Sequence, residues 1–262
     1  MNDLRFDGRT DAMREFANKV PEVTLAFWIV KIMSTTVGET GADFLAVDAG
    51  WGHGATQAAM GALLAIALSL QLRTRRYTPW TYWLTVLLVS VVGTQITDFL
   101  TDALGVSLQV STAAFTLALA ATFAVWYLTE RTLSIHAIFT RRRELFYWLT
   151  ILCTFALGTA AGDLATEAFG LGFAHGALVF GLMIAVTWVA WRLGGSPVAT
   201  FWIGYVLTRP FGAALGDLLT QATSHGGLGL GATLTSGVFL AAIVALVAAA
   251  QIASAETDPS IE

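Results

Sequence analysis

Apolar and polar positions alternate along this chain in long blocks. Eight mostly apolar stretches, at about 23–47, 54–72, 80–101, 107–128, 145–168, 173–193, 198–220 and 231–253, are separated by short polar turns. A helix needs about 20 apolar residues to cross the roughly 30 Å hydrocarbon core of a bilayer. The blocks therefore predict eight transmembrane helices. Residues 1–20 contain no apolar signal-peptide core. Their second half, with Met13, Phe16 and Val20 on one face behind Thr10, predicts a short amphipathic helix on the membrane surface.

The polar exceptions inside the apolar blocks recur. A Trp is followed ten residues later by Gly and five residues after that by Asp, four times over. The sets are Trp28/Gly38/Asp43, Trp83/Gly93/Asp98, Trp148/Gly158/Asp163 and Trp202/Gly212/Asp217, with Asp-to-Asp steps of 55, 65 and 54 residues. Spacing kept this closely marks an internal repeat. Each repeat holds two predicted spans, so every repeat enters the membrane from the same side. The fold expected is an all-α polytopic membrane protein, with eight helices from four parallel two-helix repeats and pseudo-symmetry about the membrane normal. The repeats run over about 21–75, 76–130, 141–193 and 196–253 of a single transmembrane domain, 21–253. A segment 1–20 precedes it and a tail 254–262 follows. The longer middle step suggests a two-plus-two grouping.

Charge sets the orientation. Arg5, Arg9, Arg14, Lys19, Arg73, Arg75, Arg76, Arg131, Arg141, Arg142, Arg143 and Arg192 fall on one side, and the turns of the other side contain no Lys or Arg. Basic loops face the cytoplasm, so both termini are expected there, in an inner membrane. Composition agrees: 56% of residues are hydrophobic and 12% charged, against about 25% charged in soluble domains. A lone Cys153 excludes an intrachain disulfide and reads as a small apolar filler. The net charge of −4 carries no nucleic-acid signal.

Fifteen helical residues from Trp to Asp span about 22 Å. With Trp at the cytoplasmic rim as an interface anchor, Gly falls near the middle and Asp towards the outside. The Gly positions read as close helix packing. Four Asp at one depth would form a ring or two facing pairs. Residues four apart share a helix face, which adds Glu39, Thr94 and Thr159 before the Asp residues, and Asp102 and Glu167 after them. Two cations also lie within spans. Lys31 has Val86, Ile151 and Tyr205 as repeat equivalents, and Arg209 has Thr35, Ser90 and Phe155. Lys31 either snorkels to the interface or balances charge. Arg209 is too deep to snorkel and should pair with Glu39 or an Asp, beside the helix-perturbing Pro210. A charge at the bilayer centre costs roughly 2.5–3.5 kcal/mol on insertion scales, so these groups need partners, water, protons or a bound cation.

The runs KVPEVTLAFWIVKIMSTTVGETGAD (19–43), ERTLSIHAIFTRRRELFYWLT (130–150) and LTRPFGAALGD (207–217) resemble a bacterial inner-membrane family of four tandem two-span repeats, a repeat of unknown function with a characteristic Trp. The resemblance covers roughly 19–253 and implies eight spans. It implies no activity.

Function rests on the residues. The leading expectation is a transporter of a small cation, foremost a divalent metal such as manganese, moved by exchange through intramembrane carboxylates. Asp43, Asp98, Asp163, Asp217 and Glu39 would bind it. Arg209 or Lys31 would neutralise the empty site, and Thr94, Thr159, Asp102 and Glu167 would add oxygens. The four Asp are also the candidate metal ligands. No catalytic residue and no resident cofactor is expected beyond the transported divalent cation. The expected partners are the lipid bilayer and the cation, with a homo-oligomer left open and nucleic acid excluded. The alternative is a membrane redox or metal-dependent enzyme using the outer-face histidines His53, His175 and His225. A partner-binding role for the basic segment 130–144, and a pigment with Lys31 as Schiff base, rank below both.

Overall fold

The computed structural model describes residues 18–43 and 52–256. The surface helix expected before residue 18 lies outside them. Val20 is described; it sits in a non-helical segment and is buried in the core. Eight long helices follow: α1 (Leu25–Asp43), α2 (His53–Arg73), α3 (Pro79–Asp98), α4 (Leu108–Glu130), α5 (Arg141–Asp163), α6 (Gly172–Arg192), α7 (Pro197–Thr220) and α8 (Ala232–Glu256). Among the described residues all regular structure is helical. Local chemistry sets several starts. The Ser107, Thr140 and Ser196 hydroxyls accept the N–H of Val110, Arg143 and Ala199, and proline occupies the first turn of α3 and α7. One π-helical turn continues α3 (Phe99–Ala103) and another continues α5 (Leu164–Ala168).

Six helices, α2, α3, α4, α5, α6 and α8, are long and apolar enough to cross a membrane. These apolar helices mark a membrane protein. Over the described residues α1 and α7 are not among them, and they are the helices carrying Lys31, Glu39 and Arg209.

The packing order follows the repeat. α1, α3, α5 and α7 form a closed inner ring in which each touches its two neighbours. The second helix of each repeat lies outside, against the first helix of the next repeat: α2 on α3, α4 on α5 and α6 on α7. α8 closes the cycle by packing on α1. The expected two-plus-two grouping is therefore corrected to a fourfold cycle. The extra residues of the long step instead form the 131–140 connection. It receives the Trp202 indole N–H at Leu133 O, 2.9 Å away, and pairs with Asn18 and Lys19 through Ile138.

Two contacts repeat around the ring. A Cβ added at Gly38 would meet Ser90, at Gly93 Phe155, at Gly158 Arg209, and at Gly212 Thr35. Each repeat's Gly thus admits the residue three before the next repeat's Gly, which is the close packing expected of these glycines. At one end, Phe27 contacts Trp83 at 5.6 Å between ring centroids, Tyr82 contacts Trp148 at 5.5 Å, Tyr147 contacts Trp202 at 6.2 Å, and Phe201 contacts Trp28 at 5.7 Å. Trp83, Trp148 and Trp202 are buried in this cluster and Trp28 is half-buried. The interface-anchor reading is corrected here. The tryptophans face inward because the aromatic layer is where the four helices pack.

Candidate functional site

Every fourth residue of the inner helices faces the ring axis. From the aromatic end the layers are Phe27/Tyr82/Tyr147/Phe201, Lys31/Val86/Ile151/Tyr205, Thr35/Ser90/Phe155/Arg209 and Glu39/Thr94/Thr159/Ala213, all buried. Asp98, Asp163 and Asp217 come next, with Asp43 as their equivalent by repeat spacing. Successive layers are about 6 Å apart, four residues at 1.5 Å each.

Arg209 occupies the centre with 0% of its surface exposed. Its Nη2, which carries two hydrogens, lies within hydrogen-bond reach of three acceptors, Glu39 Oε2, Thr94 Oγ1 and, at 2.7 Å, Thr159 Oγ1. Its Nη1 reaches Thr35 O at 3.5 Å. Thr94 and Thr159 donate their hydroxyl hydrogens to the carbonyls of Ser90 and Phe155, both at 3.1 Å. Their lone pairs are thereby free for the guanidinium. Carboxylate, two hydroxyls and a carbonyl form an oxygen-only cage from α1, α3 and α5, filled by a cation tethered to α7. The expected pairing of Arg209 falls to Glu39, which is 8% exposed. α7 continues through Pro210, whose ring packs against Gly158 and Gly162 of α5.

Lys31 does not snorkel. It is 1% exposed, and its Nζ lies 4.1 Å from the Phe155 ring centroid and 4.4 Å from that of Tyr205. It donates to Thr35 Oγ1 at 3.1 Å. Among the described residues no carboxylate lies within ion-pair distance of it. The snorkelling reading fails because the aromatic layer closes the route towards the basic face.

Beyond the cage the axis turns acidic. Asp98, Asp163 and Asp217 are half-buried. Asp163 is within electrostatic reach of Glu39, Glu167, Asp98 and Arg209. Asp102 and Glu167 lie on the two π-turns, are exposed and influence one another. Asp43 ends α1, and its side chain lies outside the description. Among the described residues no three of His, Cys, Asp or Glu gather as a metal-binding group. His175, in the first turn of α6, and His225, in the connection before α8, are exposed, and the side chain of His53 is likewise not described.

The opposite end is closed. The Tyr82 and Tyr147 hydroxyls share a 2.5 Å hydrogen bond between α3 and α5. Below them, Lys19 pairs with Glu144 at 2.6 Å and donates to Leu72 O at 3.4 Å, and Gln71 donates to the same carboxylate at 3.3 Å. Burial pushes the Tyr77 phenol up to about 12. Sequence reasoning missed this bracing and the aromatic cage. The signal for the cage was present, since Phe155 and Tyr205 are the repeat equivalents of Arg209 and Lys31. Nothing local marks Lys19 and Glu144 as partners, 125 residues apart.

Comparison with known proteins agrees with the internal symmetry. No curated protein and no solved structure matches the chain. One family profile, Repeat of Unknown Function (DUF347), matches in tandem at residues 26–77, 81–132, 146–194 and 200–255. With its four consecutive copies covering most of its length, the chain belongs to the DUF347 repeat family.

Proposed function

We propose that this protein is an eight-span inner-membrane transporter of a small cation, with a divalent metal such as manganese as the leading cargo. The observation carrying the proposal is the oxygen cage around Arg209. Hard cations are held by carboxylate, hydroxyl and carbonyl oxygens. That is the donor set Glu39, Thr94, Thr159 and Thr35 present, and a tethered guanidinium occupies it in their midst. In the empty state Arg209 neutralises Glu39. A cation drawn in by Asp98, Asp163 and Asp217, with Asp43 completing their layer, would compete for the same oxygens. Exchange follows from electrostatics, because the carboxylate must regain a positive partner before the empty site can reset.

The orientation follows from the basic turns. Lys19, Arg73, Arg75, Arg76, Arg131, Arg141, Arg142, Arg143 and Arg192 share the closed aromatic end, which faces the cytoplasm on the positive-inside rule. Both termini then lie on that side, and the acidic layer opens outward.

The test is cation flux into proteoliposomes loaded with a manganese-quenched dye. The double substitution Asp43→Asn and Asp98→Asn should abolish manganese-dependent quenching while the protein still reconstitutes as a folded species. Undiminished flux in that variant would sink the proposal.

A further inference from the structure

Resting on the transport reading above, we infer that the cage around Arg209 takes a second class of cargo, planar organic cations of the guanidinium type, with the Arg209 head group as the built-in competitor that fills the cage between loads.

The tethered head fits the cage imperfectly on both sides. Nη2 carries two hydrogens and meets three oxygens, Glu39 Oε2, Thr94 Oγ1 and Thr159 Oγ1. One acceptor is therefore left short. The Arg209 Nε–H, in turn, is buried and has no hydrogen-bond partner among the described residues. A buried donor left unmet carries a free-energy penalty. The tether explains the mismatch. The Cβ and Cγ of Arg209 lie against Gly158 of α5, where an added methyl would strike them, and this limits how far the head can turn. A free guanidinium carries an NH2 group in place of the Nε tether and is held by no stem. It can rotate until its N–H groups meet Glu39, Thr94, Thr159 and the Thr35 carbonyl together.

The surroundings also suit a planar cation. The Phe155 ring centroid lies 5.8 Å from Arg209 Cζ. Guanidinium groups stack on aromatic faces and are weakly hydrated, so they enter a dry, ring-lined site readily. A small metal ion gains nothing from the ring and requires a fuller shell of oxygens. For that cargo the acidic layer has to supply the remainder, whereas for a guanidinium the cage is already sufficient. Exchanging one guanidinium for another keeps the cage oxygens paired throughout.

Charge balance points the same way. Asp163, four residues beyond Thr159, lies within electrostatic reach of both Glu39 and Arg209. With a monovalent cargo on Glu39 and the displaced Arg209 head turned to Asp163, two cations face two carboxylates. A divalent cargo in the same place adds a positive charge that a further carboxylate has to meet. Lys31, held by Thr35, Phe155 and Tyr205, is the same in both states.

The experiment uses the full chain in proteoliposomes. Uptake of radiolabelled guanidinium is measured beside manganese influx, with tetramethylammonium, equal in charge and without N–H donors, as the control cation. The wild-type protein should take up guanidinium well above protein-free vesicles and should not take up tetramethylammonium. Unlabelled guanidinium should slow manganese influx, because both cargoes need Glu39. Thr94→Val with Thr159→Val keeps the Glu39–Arg209 pair and should lower guanidinium uptake on the order of a hundredfold, the effect of losing two hydrogen bonds to a charged group. Thr94→Ser with Thr159→Ser keeps both hydroxyls and should retain uptake. Guanidinium uptake without manganese influx supports the inference and removes manganese as cargo. Manganese influx without guanidinium uptake overturns the inference and leaves the transport reading standing. Tetramethylammonium taken up as fast as guanidinium, or full guanidinium uptake in the valine pair, overturns it as well. A wild-type protein that moves neither guanidinium nor manganese overturns both.

Discussion

The four inner helices and the four outer ones come from the same repeats and have similar lengths, yet they meet different surroundings. In the apolar stretches of α3 and α5, 50% and 67% of residues are buried, against 22%, 17%, 11% and 11% in α2, α4, α6 and α8. The outer helices present Leu117, Leu128, Leu182, Val186, Leu234 and Val238 outward, which suits hydrocarbon. The inner helices direct hydroxyls, charges and aromatic rings at one another. In this membrane protein the polar side is the inside, because oxygen and nitrogen groups find partners only there. The outer helices shield that interior, and each one ties two successive repeats together.

Breaking the central pair tests this contrast most severely. Arg209→Met leaves Glu39 as a buried carboxylate without its cation, and removing one partner of a buried pair costs about 3–5 kcal/mol. Thermal unfolding in detergent should show that loss. The double variant Arg209→Met, Glu39→Gln should recover most of it, since the stranded charge is gone. A double variant as unstable as the sum of the single ones would refute a central role for the pair.

Glycine sharpens the comparison through the sign of the effect. Gly158→Ala drives a methyl into Arg209 and Pro210, and overpacking of this kind costs about 1–3 kcal/mol. Gly61→Ala in α2 meets no atom within 4 Å. Relief of the helix-interior glycine penalty should leave it neutral or up to about 1 kcal/mol more stable. Equal effects at the two positions would mean that inner and outer helices pack alike.

Alkaline pH probes the seam where α2 hands the chain to α3. Burial raises the Tyr77 phenol from its ordinary value of 10.0 to about 12. The folded state therefore favours its neutral form. Its contribution is complete below pH 10 and is lost as pH rises from there through about 12. Tyr77→Phe should flatten the stability profile in that window. The smallest effect is expected at Leu117, 71% exposed on α4, where Leu117→Ala should stay within about 0.5 kcal/mol in detergent.

Much of this architecture is legible in the residue order. The eight apolar blocks and the eight helices coincide to within a few residues, because a long apolar stretch satisfies its backbone hydrogen bonds most simply within a helix. The Trp–Gly–Asp spacing yields the fourfold repeat, the packing role of the glycines, and the stripe holding Glu39, Thr94 and Thr159. It misplaces the tryptophans, since an amphipathic ring suits a membrane interface and a protein core equally well. It leaves two fates open for Lys31, because spacing along one helix says nothing about what the next helix puts opposite.

What the sequence alone determined is the periodic part: helix number, repeat phase, the gathering of basic residues at one end and the order along each inner helix from aromatic ring through glycine to carboxylate. These follow from hydropathy and helical rise, which are properties of the chain taken one segment at a time. Only the tertiary structure decided the rest. It closed the four repeats into a ring, set each outer helix on the following repeat, and brought Arg209 of the fourth repeat against Glu39, Thr94 and Thr159 of the first three. It also joined Lys19 to Glu144. Those pairings span 50 to 170 residues. They arise because a buried charge must find its partner in space, wherever along the chain that partner lies.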